Sequence, residues 1–290
     1  MDSIQAWEAK GDYFTFNHHQ IFYISEHKPE STKPVLLLIH GFPTASLDWQ
    51  KIWASLSSRF QLITLDMLGF GLSDKPVQNY SIMGQADLFE ALLKKLKINQ
   101  FHILAHDYGD TVAQELLARD KQSSSILSCT FSNGGLFPET HQPVLVQKLL
   151  LSPIGAWVSK LMSYKKFSAT FATICAKPLP DHELKAYWQL LNHHQGVKVM
   201  HKLIHYMTER RQNRERWVGI LQYTDTPLHL IDGTLDPISG EHMVRRYEDL
   251  VPKSSVSRLT DTGHYPQVES PQAFSQCAHQ FWDHISVPKA

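Results

Sequence analysis

Short apolar runs alternate with stretches of helical periodicity along the first 131 residues of the chain. Residues 35–39 form an uninterrupted run of Val, Leu and Ile, which is typical of a strand covered on both faces. Residues 86–96 instead show the apolar spacing of an amphipathic helix. This alternation predicts an α/β fold with a mostly parallel central sheet flanked by helices. The predicted strands are 13–16, 20–25, 35–39, 62–65, 101–105, 126–131, 228–231 and 255–259, the first two forming an antiparallel hairpin.

The pattern changes between residues 136 and 223, where we predict helices and no strand. Aromatic, Met, His and Lys residues recur there with helical spacing, and prolines divide the stretch into short helices. We predict an inserted helical cap over the carboxyl edge of the sheet, where open α/β sheets bind ligands. The domain division is 1–135 for the first part of the core, 136–223 for the cap and 224–290 for the second part of the core. In that second part, Ser270 is expected to cap the last helix and Pro271 to take its first position.

Composition excludes several classes of partner. The chain carries 28 Lys and Arg against 28 Asp and Glu, so no overall field attracts a polyanion, and nucleic acid is not expected to bind. The N-terminus lacks the pattern of a signal peptide, and no apolar run approaches the length of a membrane span, so we expect a cytoplasmic protein. Three scattered cysteines suggest neither a disulfide framework nor a zinc site. We therefore expect no metal and no cofactor.

Residues 101–113 contain the strongest chemical motif of the chain. A predicted strand leads into a helix through Ala105-His106-Asp107-Tyr108-Gly109, and the small residues at both ends of this run permit a sharp turn. Such a turn is a nucleophile elbow, and it presents the side chain of Asp107 at the edge of the sheet. An aspartate that merely caps the helix is the plainer alternative. The partners of Asp107 along the chain decide between the two interpretations.

Those partners follow in the order nucleophile, acid, base. Asp236 comes just after the strand at 228–231, and His264 follows the last predicted strand. An imidazole in that loop can reach both Asp107 and Asp236, so we predict a triad of these three residues. Asp232 is a weaker candidate for the acid.

A further loop, His40-Gly41-Phe42-Pro43, directly follows the strand at 35–39. It places a free backbone N–H near the elbow. We predict that the amides of Phe42 and Tyr108 form an oxyanion hole.

At these residues the chain resembles the α/β-hydrolase superfamily, in the branch of epoxide hydrolases and haloalkane dehalogenases. Within that branch it is most similar to the mesoderm-specific transcript-like hydrolases. The resemblance covers nearly the whole chain, and it implies that His40, Gly41, Pro43 and His106 shape the site. The stretches that carry it are 41–49, 65–76, 106–117, 132–141 and 215–219.

An aspartate nucleophile favours attack on an sp3 carbon, which forms an ester between enzyme and substrate. His264 would then activate water against the carbonyl carbon of that ester, with Asp236 holding the imidazole. The aromatic cap argues for a small hydrophobic substrate, and the His-Gly-x-Pro loop resembles that of epoxide hydrolases. We therefore predict hydrolysis of a hydrophobic epoxide to a diol.

Epoxide hydrolases of this branch use cap tyrosines to hydrogen-bond the epoxide oxygen, and the resemblance implies the same here. Tyr206 lies 30 residues before Asp236, an offset similar to that of the family's second cap tyrosine. Tyr187 and Tyr164 compete for the other position.

Other functions stay open from the sequence. Similar haloalkane dehalogenases hold halide with a Trp after the nucleophile and often an Asn in the His-Gly-x-Pro loop, where this chain has Tyr108 and Phe42. A dehalogenase is the runner-up, with Trp49, Trp157 or Trp188 as indole donors. A catalytically silent binding protein, a scaffold recruited for ester or lactone cleavage, and a homodimer are further alternatives.

Two charged features are expected to be structural. Asp110 lies in the first turn after the elbow, where a negative side chain favours the helix dipole. Four arginines alternate with glutamates farther along the chain and predict a charged helix surface. These arginines are Arg210, Arg211, Arg214 and Arg216.

Overall fold

One mixed sheet forms the scaffold of the part that the structure, a computed structural model, describes: residues 3–120 and 123–287. Its strands are β1 Asp12–Phe16, β2 His19–Ser25, β3 Val35–Ile39, β4 Gln61–Leu65, β5 Phe101–Ala105, β6 Ile126–Ser132, β7 Leu228–Gly233 and β8 Val256–Leu259. They lie in the order β1-β2-β4-β3-β5-β6-β7-β8. The β1–β2 hairpin and the β2–β4 pair are antiparallel, and every other pair is parallel. The predicted strands and the mostly parallel sheet are confirmed.

Helices cover both faces of the sheet, which is why every residue of β3, β4 and β5 is buried. The α-helices of the described chain are α1 Ser3–Glu8, α2 Trp53–Ser57, α3 Ile82–Leu96, α4 Tyr108–Arg119, α5 Leu145–Leu151, α6 Gly155–Lys160, α7 Tyr164–Ile174, α8 Asp181–Asn192, α9 Met200–Leu203, α10 Tyr206–Gln212, α11 Arg214–Tyr223, α12 Glu241–Leu250, α13 Pro266–Glu269 and α14 Pro271–His284. Short 3-10 helices occur at Ser46–Trp49 and His193–Val199.

The start of α14 differs in part from the prediction. Pro271 takes the first helical position, as expected. The side chain of Ser270, however, makes no capping hydrogen bond. Its Oγ lies 2.7 Å from Nζ of Lys177 and 2.8 Å from Oγ1 of Thr262. The predicted Ser270 cap is therefore wrong, because the hydroxyl links the loop after β8 to the residues after α7.

Seven α-helices, α5 to α11, lie between β6 and β7, and the described chain forms no strand there. The ring of Phe171 in α7 stacks on Tyr265, which follows β8, with centroids 5.0 Å apart. The ring of Tyr206 in α10 lies 4.8 Å from that of Tyr108, which follows β5. Parallel strands end at this edge of the sheet, so α7 and α10 contact the residues that follow the carboxyl ends of β8 and β5.

The backbones of β3 and α4 approach closely at Gly109. A Cβ there would lie 2.3 Å from the carbonyl oxygen of Ile39 and 2.7 Å from that of His40. We expect Gly109→Ala to lower the free energy of unfolding by about 2–3 kcal/mol, because backbone atoms would have to move. Urea denaturation followed by circular dichroism measures the change.

Gly219→Ala is the matched control, since a Cβ at this helical position of α11 meets nothing within 4 Å. This substitution should raise the free energy of unfolding by about 0.5–1 kcal/mol, because alanine favours the helix. Equal effects of the two substitutions would contradict the steric argument.

Candidate active site

Asp107 lies at the turn between β5 and α4, which is the predicted elbow. Its backbone has φ 51° and ψ −107°, a strained conformation for a residue other than glycine. Two backbone hydrogen bonds hold the turn, from the N–H of Asp107 to the carbonyl of Ser132 (3.0 Å) and from the N–H of Gly109 to the carbonyl of His106 (2.8 Å). The side chain of Asp107 is thereby held in a fixed, buried position.

The loop after β3 places a backbone donor against this carboxylate. The N–H of Phe42 donates to Oδ1 of Asp107 over 2.9 Å. Gly41 permits the approach, because a Cβ there would lie 2.8 Å from Cβ of Asp107. Tyr108 is the first residue of α4, so its N–H has no carbonyl partner within the helix. Both predicted amides thus belong to segments that adjoin the Asp107 carboxylate.

His264 lies between two carboxylates. Its Nδ1 lies 2.7 Å from Oδ2 of Asp236, and its Nε2 lies 3.6 Å from Oδ2 of Asp107. A carboxylate only accepts, so Nδ1 of His264 donates the hydrogen bond to Asp236. The structure therefore brings the three predicted triad residues together, each of them buried.

Asp236 is held by donors that the sequence analysis did not identify. The N–H of Ile238 donates to Oδ1 (2.8 Å), and the hydroxyl of Ser239 (2.8 Å) and Nδ2 of Asn133 (3.1 Å) donate to Oδ2. Asn133 directly follows β6, so its place after a strand could have singled it out. Asp232 is also buried, but neither of its carboxyl oxygens has a hydrogen-bond partner among the described residues. Asp236, and not Asp232, is the partner of His264.

The electrostatics of the site favour a charged His264. Burial lowers its pKa, but the nearby charge of Asp236, the hydrogen bond to it and the charge of Asp107 outweigh burial and raise the pKa to about 9. Burial raises the pKa of Asp236, yet the charge and hydrogen bond of His264 outweigh that effect and lower the pKa overall. The resting site therefore holds an imidazolium between two carboxylates.

His106 and His40 support the loops of the site. The Nε2–H of His106 donates to the backbone carbonyl of His264 (2.8 Å), and burial lowers the pKa of His106 to about 4, so the ring is neutral. Nδ1 of His40 donates to the carbonyl of Gly41 (2.9 Å), and its Nε2 accepts from the N–H of Met67 (3.1 Å). Each histidine thus fixes backbone next to a reactive group.

Arg210 is buried beside the elbow, so the predicted exposed surface is wrong at this position. Its Nη2 donates to the backbone carbonyl of Asp107 (3.2 Å), and its Nε donates to Oγ1 of Thr111 (2.7 Å). Its guanidinium lies 4.5 Å from the ring centroid of Tyr206. The two residues are one helical turn apart in α10. Residues four apart share one face of a helix, so the prediction that Tyr206 faces the site also predicts that Arg210 faces it.

Asp110 does more than favour the helix dipole. It is buried, and its carboxyl oxygens accept from the N–H of Ser132 at 3.1 and 3.2 Å. Burial raises the pKa of Asp110 above its ordinary value, although the hydrogen bond from Ser132 opposes this effect. Asp110 joins α4 to the end of β6.

The three candidate tyrosines lie in different surroundings. The hydroxyl of Tyr206 is buried without a hydrogen-bond partner among the described residues, and its ring contacts those of Phe42 and Tyr108. Tyr187 is buried and directs its hydroxyl to the carboxyl of Asp48. Tyr164 donates to the exposed carboxylate of Asp181. Of the three, Tyr206 is the one beside the elbow.

An apolar cavity of about 40 Å³ opens in front of His264 and Phe42. It has room for little more than a few water molecules. The cavity shares Val144, Met162 and Thr170 with a groove of about 540 Å³ on the outer surface of α5 and α7. The groove and the cavity therefore adjoin each other across these side chains.

The described residues contain no group of three His, Cys, Asp or Glu side chains placed to hold a metal ion. Among the same residues, no helix has the length and apolar character needed to cross a membrane.

Comparisons with known proteins identify the fold family of the chain. A family model of the alpha/beta hydrolase fold matches residues 34–271. The mouse mesoderm-specific transcript protein is 41% identical over 94% of this chain and 85% of its own length. LipZ of Mycobacterium tuberculosis, which is named as a candidate hydrolase, is 34% identical over 95% of this chain and 96% of its own length. The haloalkane dehalogenase DbeA of Bradyrhizobium elkani superposes with a TM-score of 0.81 over 95% of this chain and 98% of its own, at 19% identity. That last likeness is one of fold.

Proposed function

Because the chain belongs to the alpha/beta hydrolase fold family, we propose that it is a hydrolase with Asp107 as nucleophile and a hydrophobic epoxide as substrate. One observation carries the proposal: the carboxylate of Asp107 lies between the N–H of Phe42 and Nε2 of His264. An aspartate that only capped α4 would bond to the helix, and Asp107 makes no such side-chain bond. Residues 136–223 form the cap in this proposal, over the core of residues 1–135 and 224–290.

The first step is attack by Oδ2 of Asp107 on an epoxide carbon. The C–O bond of the epoxide breaks and an ester forms between Asp107 and the substrate. Oδ1 stays on the N–H of Phe42 and becomes the carbonyl oxygen of the ester. The negative charge moves in this step from the carboxylate of Asp107 to the oxygen of the opened epoxide.

Tyr206 supplies the proton for the opened epoxide oxygen. Burial and the charge of Asp107 raise the pKa of Tyr206, so the hydroxyl keeps its proton in the resting site. The alkoxide that forms is a far stronger base than a phenolate, so the proton moves to it. Because the Tyr206 hydroxyl has no hydrogen-bond partner among the described residues, it is available to donate.

The second step is hydrolysis of the ester. The proton that His264 carries in the resting site passes through water to the Tyr206 phenolate, so the imidazole becomes neutral. His264 then takes a proton from a second water, and the oxygen of that water attacks the carbonyl carbon of Asp107. The amides of Phe42 and Tyr108 stabilise the oxyanion that develops on Oδ1. Asp236 holds the imidazole and stabilises it when it is charged. The bond from the carbonyl carbon to the alkyl oxygen breaks, His264 gives its proton to that oxygen, and the diol leaves. The carboxylic acid of Asp107 passes its proton to His264, which restores the carboxylate and the imidazolium.

Dehalogenation is the second candidate. Trp157 is 69% exposed and Trp188 packs on Phe167, and neither is among the residues that line the cavity at His264. The indole N–H of Trp49, however, is buried without a partner among the described residues, and Trp49 ends the 3-10 helix after the Phe42 loop. This unpaired N–H donor is the feature that favours the binding of a halide ion.

The test is intact-protein mass spectrometry of His264→Gln after incubation with aryl epoxides and, separately, with haloalkanes. Without the base, the ester should accumulate, and an adduct of epoxide mass should map to Asp107. Tyr206→Phe in the same background should slow adduct formation from epoxides by about 10- to 100-fold and leave haloalkanes unaffected.

Asp107→Asn in the His264→Gln background is the control and should give no adduct. An adduct from haloalkanes alone would move the assignment to a dehalogenase. If the folded protein forms no adduct with either class, the covalent mechanism fails and a binding role takes its place.

A further inference from the structure

The described chain exposes 11 large hydrophobic side chains. Five of them lie close together in sequence, between residues 145 and 161. Leu145 and Leu149 are one turn apart on α5. Ile154, Trp157 and Leu161 recur at three- and four-residue spacing along α6 and its ends, which places them on one helix face. We call these five residues the apolar face. Leu145, Leu149 and Leu161 also line the outer groove, so the two helices contribute to one continuous surface.

The segment that carries the apolar face has charged side chains of a single sign. Residues 142–180 contain five lysines and no Asp, Glu or Arg, although the whole chain has a formal net charge of zero. Lys148, Lys160, Lys165 and Lys166 are exposed, and none forms an ion pair with another described residue. The fifth, Lys177, is paired with Asp261. Four lysines without an ion pair therefore lie in the same segment as the apolar face.

We propose that the apolar face and its four lysines dock on a membrane surface that contains anionic lipid. Exposed Leu, Ile and Trp side chains gain from transfer into the interfacial region of a bilayer, where tryptophan is enriched. Lysines at the border attract anionic headgroups, and their long stems allow the charge to stay in the polar layer. The Nζ of Lys160 lies 5.4 Å from the ring centroid of Trp157, so one docking point combines both features.

A lipid surface explains this face better than a second copy of the chain does. Two copies paired through it would bring their lysines together with no acidic residue from 142–180 to neutralise them. The groove adds a second argument, which rests on the proposed function. The groove beside the apolar face shares lining residues with the cavity at His264, so we take it as the entry route for a hydrophobic substrate dissolved in the bilayer. A protein partner seated there would close that route.

Flotation with vesicles tests the docking without any substrate. The full chain is mixed with phosphatidylcholine vesicles and with vesicles in which about a third of the lipid is phosphatidylserine. We expect preferential binding to the anionic vesicles. Trp157→Ser with Leu161→Ser should weaken that binding at least about tenfold. Lys160→Glu with Lys165→Glu should weaken it by more than about fivefold for each lysine.

Matched controls lie elsewhere on the surface. Tyr223 is 83% exposed and Val77 is 78% exposed, so Tyr223→Ser with Val77→Ser removes equally exposed apolar groups. Lys28→Glu with Lys95→Glu makes the same charge change on exposed lysines outside the segment. These controls should bind vesicles like the unmodified chain. No binding to either vesicle, equal binding to both, or equal effects of test and control variants would overturn the proposal. So would a dimer in gel filtration that Trp157→Ser with Leu161→Ser dissociates.

A turnover assay tests the entry route of the substrate independently of the proposed reaction. Trp157→Ser with Leu161→Ser should slow hydrolysis of a long-chain epoxide held in anionic vesicles and leave a short water-soluble epoxide unaffected. An equal rate on both substrates would overturn the entry route. If no epoxide is hydrolysed by any form of the chain, the proposed function fails, and the flotation result still decides whether the face docks.

Discussion

Asp107→Asn should lower kcat for epoxide hydrolysis by at least about 10⁴-fold while leaving the fold intact. The amide oxygen can still accept from the N–H of Phe42, as Oδ1 of Asp107 does over 2.9 Å. Asparagine also tolerates positive φ, so the backbone at φ 51° is not strained further. What is lost is the nucleophilic oxygen and the charge beside His264. Steady-state kinetics on freshly prepared protein, its mass confirming the amide, measures the loss.

Asp110→Asn is the matched control, because it changes a second buried aspartate three residues along the same turn. Asp110 contacts the end of β6 and not His264, and the amide oxygen of the variant can still accept from Ser132. We expect kcat to stay within about threefold of the unmodified protein. A comparable loss in both variants would indicate damage to the elbow and not removal of a nucleophile.

A single turnover in water carrying the heavy oxygen isotope distinguishes two roles for Asp107. In the ester mechanism, water attacks the carbonyl carbon, so the heavy oxygen enters Asp107 and the first diol is unlabelled. If Asp107 acted as a base toward water, the label would appear in the first diol. Mass spectrometry of the diol and of the peptide that contains Asp107 gives the answer.

The scaffold followed from the sequence because both periodicities were strong. The run at 35–39 matches β3 in full, since a strand buried on both faces must be apolar throughout. The elbow could also be predicted from the sequence, because the close contact between α4 and the carbonyl of Ile39 requires a glycine at position 109. The predicted triad residues lie together because each follows a strand end, and parallel strands end at one edge.

The sequence was less informative where burial is decided by tertiary packing. Arg210 belongs to a run of arginines and glutamates, and only its spacing from Tyr206, one helical turn earlier, separates it from its exposed neighbours. Its burial depends on Thr111 and the Asp107 carbonyl, about 100 residues away along the chain. The same holds for Ser270, whose hydroxyl is taken by Lys177 and Thr262. Capping preferences describe isolated helices, and distant partners overrule them.

The charge of His264 changes during the proposed reaction, and this sets a pH dependence. In the resting site its pKa is raised to about 9, so the imidazole is protonated near neutral pH. Ester formation removes the negative charge of Asp107, which is one of the causes that raise this pKa. The pKa of His264 therefore falls below about 9 in the ester, and the ring becomes neutral when a base is needed. Ester hydrolysis should speed up with rising pH and level off above that lowered pKa.

Asp236→Asn should move this rise to lower pH by at least about one unit, because the charge of Asp236 is the largest of the causes that raise the pKa of His264. The plateau rate should fall by about 10³- to 10⁴-fold, since the imidazole loses both its orientation and the stabilisation of its charged form. Ester decay, followed by intact mass across a pH series after a rapid pulse of epoxide, measures both effects. Asp232→Asn is the control, because Asp232 is buried four residues earlier, makes no hydrogen bond to another described residue, and has its pKa raised by burial. It should leave the profile unchanged. An equal shift in Asp232→Asn and Asp236→Asn would contradict this argument. It would mean that the pKa of His264 depends on any carboxyl group near the end of β7, and not on the 2.7 Å contact with Asp236.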